Sequence, residues 1–146
     1  MEEIDANIVR LLANDGRMSF TDLGKATGLS TSAVHQRVRR LEQRGVIQGY
    51  GARVDHEKLG LPLTAFISIR PIDPSEPDDA PMRLESFGEI ESCYSVAGAE
   101  NYILQVRIST PTALEELLAR IRAAANVTTR TVIVLSTPYE HRPPPL

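Results

Sequence analysis

The sequence predicts an α+β chain: a winged-type helix-turn-helix, then a ferredoxin-like βαββαβ unit suited to a dimeric α/β sandwich. Three observations predict it. Apolar residues recur at helical spacing through the first part of the chain, and each run is closed by a glycine: Gly16, Gly28 and Gly45. From residue 61 the apolar residues instead alternate or run together in strand-length segments. The 146 residues are 42% hydrophobic and 24% charged, a folded composition with room for one ordinary domain or two small ones.

In the first helix, Ile4, Ile8, Leu11 and Leu12 form one apolar stripe, and Asp15-Gly16 ends it with a residue that tolerates a left-handed cap. The second helix opens at Ser19, with Asp22 in a weak capping box. It is expected to bury Phe20, Leu23 and Ala26 and to stop at Gly28. Gly24 inside it costs about 1 kcal/mol against alanine, which predicts a close helix contact there. The third helix starts after Ser30, a good N-cap, and runs to Arg44 with Gly45 as its stop. Val34, Val38 and Leu41 point inward, while Arg37, Arg40 and Arg44 form a neighbouring stripe with Gln36 and Arg39 outside. VIQGYGARV after it is β-rich and glycine-broken, as a small strand or wing would be.

In the second half, LTAFISIR is an apolar strand closed by Pro71, and PIDPSEPDDAP is a stiff acidic loop leading to MRLESF, a helix of about two turns. IESCYSVA and NYILQVRIS are strands joined at Gly98. Thr110-Pro111 opens a helix whose stripe is Leu114, Leu117, Leu118 and Ile121. TRTVIVLST is the last strand and YEHRPPPL a frayed or extended tail. The helices of βαββαβ cover one face of the sheet, yet TVIVL is apolar at consecutive positions, so the other face asks for a partner. A sheet-to-sheet dimer is the simplest supply. The expected organisation is a helix-turn-helix domain over 1–50, a hinge strand and linker over 51–62, a ferredoxin-like βαββαβ oligomerisation domain over 63–138, and a tail over 139–146.

The formal net charge is −3, but its distribution is uneven. Residues 1–60 carry 9 Lys and Arg against 8 Asp and Glu, and residues 61–146 carry 7 against 11. Between 31 and 53 stand five arginines and one acid, Glu42. Local charge decides what a surface binds, so the overall acidity does not exclude DNA. The arginine run is either a solvated face or a DNA-binding one. Turn, cap, polar N-terminus and wing signals coincide, which favours DNA. No run of about 18 apolar residues exists to cross a membrane, and the acidic amphipathic N-terminus is unlike a signal peptide. A cytoplasmic, nucleoid-associated protein is expected. The single cysteine, Cys93, excludes an internal disulfide and is expected to be a small buried side chain. No cofactor, metal cluster or catalytic set is indicated.

A helix-turn-helix followed by βαββαβ resembles the Lrp/AsnC (feast/famine) family of bacterial and archaeal transcription regulators over nearly the whole chain. IDANIVRLLANDGR is similar to the family's opening helix, with Ile4-Asp5, Asp15, Gly16 and Arg17 in place. GLSTSAVHQRVRRLEQRGVIQGY is similar to its recognition helix and turn, and CYSVAGAENYILQV to its effector-binding strand-loop-strand. The resemblance implies dimers that assemble into tetramers or octamers. It also implies amino acids or related metabolites bound near the Gly98 loop, where dimers meet. Asn101 departs from the aspartate of many members. That loss of a charge bears on effector choice.

A helix lying in the major groove offers its N-terminal residues to base edges, so Ser30, Thr31, Ser32, His35 and Gln36 are the candidates there. Gln36 suits adenine, whereas Arg37, Arg39 and Arg40 suit phosphates, with Arg37 or Arg40 available to guanine. A paired-half-site operator in double-stranded DNA follows if the protein is a homodimer. In the effector half, Gly98, Ala99, Glu100 and Asn101 form either a carboxylate-holding turn or an ordinary hairpin. Glu100 meets an ammonium group or solvent, Tyr102 follows at the strand start, and Ser136 and Thr137 are weaker candidates. Two rival readings stand beside this one. Siroheme decarboxylases resemble the same family and use histidines, but His35, His56 and His141 lie off the predicted sheet and its helices. An architectural protein compacting DNA with little sequence preference would use the same arginines.

Overall fold

The computed structural model describes all residues, 1–146, as two compact units: Met1–Arg53 with Pro138–Leu146, and Val54–Thr137. The first unit holds three helices, α1 (Glu3–Asn14), α2 (Phe20–Thr27) and α3 (Thr31–Gln43). Their apolar stripes meet in a core of Ile8, Leu12, Leu23, Val34, Val38 and Leu41, with Ile4, Leu11 and Phe20 packed around it. Serine caps open two helices. The Ser19 hydroxyl accepts from the Asp22 N–H at 3.0 Å and the Ser30 hydroxyl from the Ala33 N–H at 3.2 Å, each satisfying a donor with no partner inside its helix.

Several sequence expectations for this unit are corrected. Gly16 does not adopt a left-handed cap. Instead Asp15 closes α1 in extended conformation, its carboxylate accepting the Arg17 N–H at 3.0 Å. Ala26 is exposed, because Leu23 and Gly24 take the inward positions of α2. The close approach predicted at Gly24 is real, but it is to the backbone of the turn: a methyl there would stand 2.6 Å from the Leu29 carbonyl oxygen. Gly28 and Gly45 do take left-handed conformations, φ 77° and 74°. No wing or hinge strand forms between residues 46 and 62. Val46 and Ile47 donate their N–H groups back to the Leu41 carbonyl, so they close the end of α3 rather than open a strand. The tail 138–146 has no regular structure; its Arg142 guanidinium sits 3.8 Å from the centre of the Tyr139 ring.

The second unit is βαββαβ: β1 (Leu63–Pro71), α4 (Ala80–Leu84), β2 (Ile90–Ser95), β3 (Tyr102–Ile108), α5 (Pro111–Ala125) and β4 (Val127–Ile133). The strands lie in the order β2-β3-β1-β4, all neighbours antiparallel, with an irregularity between Ile90 and Ser92. Alternate residues of the central strands, Ala65, Ile67 and Ile69 with Leu104, Val106 and Ile108, point to the helix side and build the core with Leu117 and Ile121. α4 is shorter than expected and begins earlier, because Pro81 fits the first turn, where its missing N–H costs nothing. β4 also begins earlier and ends at Ile133. Asn126 ends α5 in a left-handed conformation, φ 53°, and turns the chain straight into the strand.

On the sheet's other face the register places Phe66, Ser68, Ile103, Gln105 and Val132. Gln105 is nevertheless buried, flanked by Phe66 and Ser92 across the two ladders. Val132 on this face is 59% exposed; Ile133, opposite Ala65 and so on the helix side, is 47% exposed, and Leu135 beyond the strand is 96% exposed. Cys93 is not buried as expected. It lies on the edge strand β2, exposed, and partial desolvation raises its thiol pKa.

Candidate nucleic-acid interface and effector loop

The inward stripe of α3 fixes its outward one. With Val34, Val38 and Leu41 buried, Thr31, Ser32, His35, Gln36, Arg39 and Arg40 are exposed together, and Ser30 is exposed at the cap. Arg39, Arg40 and Arg44 have no ion-pair partner. The Ser30 hydroxyl is occupied twice over, as the cap acceptor and 3.3 Å from the Ser32 hydroxyl. His35 is held edge-on to Phe20, ring centres 5.2 Å apart and planes at 90°. This orients the imidazole without burying it.

Arg37 stands apart from the set predicted with it. Its Nη1 lies 3.0 Å from Glu2 Oε2 and 3.0 Å from Asp5 Oδ1. Its hydrogen bonds to the carboxylates of Asp5 first and Glu2 second raise its pKa further above its already high ordinary value. Neither Glu2 nor Asp5 is a candidate site residue in the sequence. Their signal is an i, i+3 pair of acids at the start of α1, but such pairs usually serve only the helix dipole. Nothing local says which arginine they face.

The loop between β2 and β3 is tied down at Asn101. The Asn101 N–H donates to the Ile69 carbonyl at 3.0 Å, and its own carbonyl accepts from Val96 at 3.0 Å. That backbone donor is therefore consumed, and Gly98, Ala99 and Glu100 keep theirs for other partners. Gly98 is exposed, and a Cβ on it would meet nothing within 4 Å. The Glu100 carboxylate lies 3.3 Å from Nε of Arg130, a residue of β4 absent from the sequence-derived candidates. Only the sheet register shows it: Arg130 pairs with Ser68, one position from Ile69. Tyr102 turns to the helix side and packs on the core; burial first, and Asp78 second, raise its phenol pKa.

Ser136 does not join this loop within one chain. β4 runs antiparallel to β1, so Ile133 pairs with Ala65 while the loop sits beside Ile69. At about 3.3 Å per residue, that places Ser136 more than about 15 Å along the sheet from the loop. A cleft of about 610 Å³ lies at neither predicted site. It is lined by Asn14 to Arg17 and Tyr50 to Arg53, with Arg53 donating to the Asn14 carbonyl at 3.2 Å.

Comparison with known proteins agrees with this architecture. An AsnC-type helix-turn-helix domain matches residues 1–42, and an Lrp/AsnC ligand binding domain matches residues 64–144. The chain is 56% identical to the HTH-type transcriptional regulator LrpA of Mycobacterium tuberculosis, over 97% of this chain and 95% of that one. It is 36% identical to the leucine-responsive regulatory protein of Klebsiella pneumoniae, over 92% and 85%. Among solved structures, the feast or famine regulatory protein of M. tuberculosis complexed with L-methionine superposes with a TM-score of 0.94 at 57% identity, covering 97% of this chain and 96% of that one. LrpC of Bacillus subtilis gives 0.86 at 31% identity, covering 94% and 96%. Helix-turn-helix, ferredoxin-like sheet and matched relatives coincide along the same chain, which belongs to the Lrp/AsnC family of DNA-binding transcriptional regulators.

Proposed function

We propose that α3 lies in the major groove, with Ser30, Thr31, Ser32, His35 and Gln36 at base edges and Arg39 and Arg40 on flanking phosphates. One observation carries this reading: a single exposed face of α3 gathers short polar side chains at its N-terminal end and unpaired guanidinium groups farther along. At 13 residues α3 is roughly 20 Å long, enough to lie across the groove. Arg40→Ala is expected to weaken binding to every sequence and to lower the salt slope by about one unit. Gln36→Ala is expected instead to reduce preference for the cognate site. Titrations of both variants over a salt series test this, and parent-like binding by both would remove α3 from the interface.

The second unit, in this reading, is the sensor: the loop 96–101 receives an amino acid, as the L-methionine complex of the M. tuberculosis relative suggests. Free backbone donors at Gly98, Ala99 and Glu100 suit a carboxylate, and the Glu100 carboxylate would receive an ammonium group by exchanging Arg130 for it. A side chain at Gly98 has room in the fold, so Gly98→Val is expected to abolish an effector response while leaving the fold and DNA affinity in place. Asn101→Asp restores a charge and is expected to raise affinity for common amino acids, charge-assisted bonds being about twice as strong as neutral ones. Calorimetry with L-methionine, leucine and phenylalanine decides it. If neither parent nor Asn101→Asp binds any of them, the loop is only a hairpin. The assembly is proposed as a sheet-to-sheet homodimer, associating further into tetramers or octamers, on an operator with paired half-sites.

A further inference from the structure

We propose that Arg37 is a positioning residue: clamped by Asp5 and Glu2, it sets how α3 stands on α1 and so governs discrimination between cognate and other DNA. The inference rests on α3 being the DNA-facing helix and reassigns one of its arginines. Three features of the geometry argue for it. The first is charge. Two carboxylates share one guanidinium nitrogen at 3.0 Å each, so the local sum is negative and a phosphate would have to displace both acids. Arg39 and Arg40 carry no such neighbours. The second is depth. The Arg37 side chain is 22% exposed and that of Asp5 15%, so the pair lies largely under the surface, with Glu2, 71% exposed, covering it from outside.

The third is what else joins these helices. α1 meets α3 through Ile8 and Leu12 against Val34, Val38 and Leu41. Burial of that kind is non-directional and tolerates small rotations and slides. Charge-assisted hydrogen bonds fix distance and angle. Asp5 and Glu2 stand three residues apart on one side of the helix start, where the macrodipole holds acids. Arg37 is therefore gripped from two points of a rigid turn, between the buried Val34 and Leu41 positions of its own helix. A change of a few degrees in α3 would move its N-terminal side chains away from base edges while leaving mobile arginines in reach of phosphates.

The two roles give opposite signatures. A phosphate ligand, when removed, weakens binding to all sequences and reduces the salt slope by about one unit. A positioning residue, when removed, lowers the ratio of specific to non-specific affinity and leaves the slope alone. Anisotropy titrations of the full-length protein over a salt series would use a duplex selected by the parent protein from a random pool, and a scrambled duplex. Arg37→Gln is expected to keep the parent's slope and to cut the specificity ratio by roughly tenfold, the scale of one lost base contact. Asp5→Asn is expected to cut it similarly, and the double variant no further than either alone. Arg37→Lys, which keeps charge but loses the planar fork, guards against a folding failure and is expected to show the parent's slope with an intermediate ratio. A slope reduced by Arg37→Gln as much as by Arg40→Ala overturns the proposal, as does an unchanged ratio. A parent-like slope in Arg40→Ala overturns the reading of α3 itself, and the role of Arg37 with it.

Discussion

At Gly24 an added methyl would stand 2.6 Å from the Leu29 carbonyl oxygen. Helix propensity alone favours Gly24→Ala by about 1 kcal/mol, but the obstacle is backbone, and overpacking of this kind costs about 1–3 kcal/mol. The clash wins. Gly24→Ala is expected to lower the midpoint of thermal unfolding of the helical unit, and a rise would show that the turn yields. Cys93 poses a different question at the same scale. Its thiol is exposed, but desolvation raises its pKa, so less thiolate exists near neutrality than for a free cysteine. Alkylation by iodoacetamide at pH 8 is expected to run slower than that of a free thiol, and an equal or faster rate would contradict the desolvation. Arg37 completes the scale: the sequence places it in an arginine stripe, and two acids from another helix give it a different task.

Elements show where local signals suffice. Ser19, Ser30 and Thr110 each cap the helix that their position announces, and the Thr110 hydroxyl accepts from Ala113 at 3.0 Å. Thr110→Ala is expected to cost about 1 kcal/mol. Leu117 in the middle of α5 is fully buried, so Leu117→Ala is expected to cost about 2–5 kcal/mol, depending on how far the core collapses. Urea midpoints of the two variants should keep that order, and a reversed order would mean that α5 is held by its end rather than by its face. The 46–54 segment behaves otherwise. Its β-rich composition suits a strand, yet it joins no ladder within the chain and its first donors turn back to α3. Helical hydrogen bonds are internal to a segment; strand bonds are not.

Across the molecule, each unit encloses its own core. The ferredoxin-like unit leaves one sheet face without helices; Val132 on that face is exposed, as are Ile133 beside it in the strand and Leu135 just beyond the strand end. Exposed apolar residues in a contiguous stretch ask for a partner surface. Sedimentation at low micromolar concentration is expected to show dimers or larger species, and Val132→Lys to shift the distribution toward single chains. A compact single-chain particle for the parent would remove the sheet-to-sheet argument.

The sequence by itself determined the elements whose signals are local: three amphipathic helices, two of them serine-capped, the βαββαβ order, and the inward and outward stripes of α3. Periodicity and caps act within a few residues, so they are legible one segment at a time. Family resemblance also directed attention to the Gly98 loop, whose effector role is proposed. Tertiary structure alone decided which residues meet from distant positions. It paired Arg37 with Asp5 and Glu2, brought Arg130 to Glu100, carried Ser136 to the other end of the sheet from Asn101, and set Cys93 on an edge. Strand order and helix docking fix those neighbours through burial shared by the whole core, and no short stretch of sequence encodes a strand's neighbours.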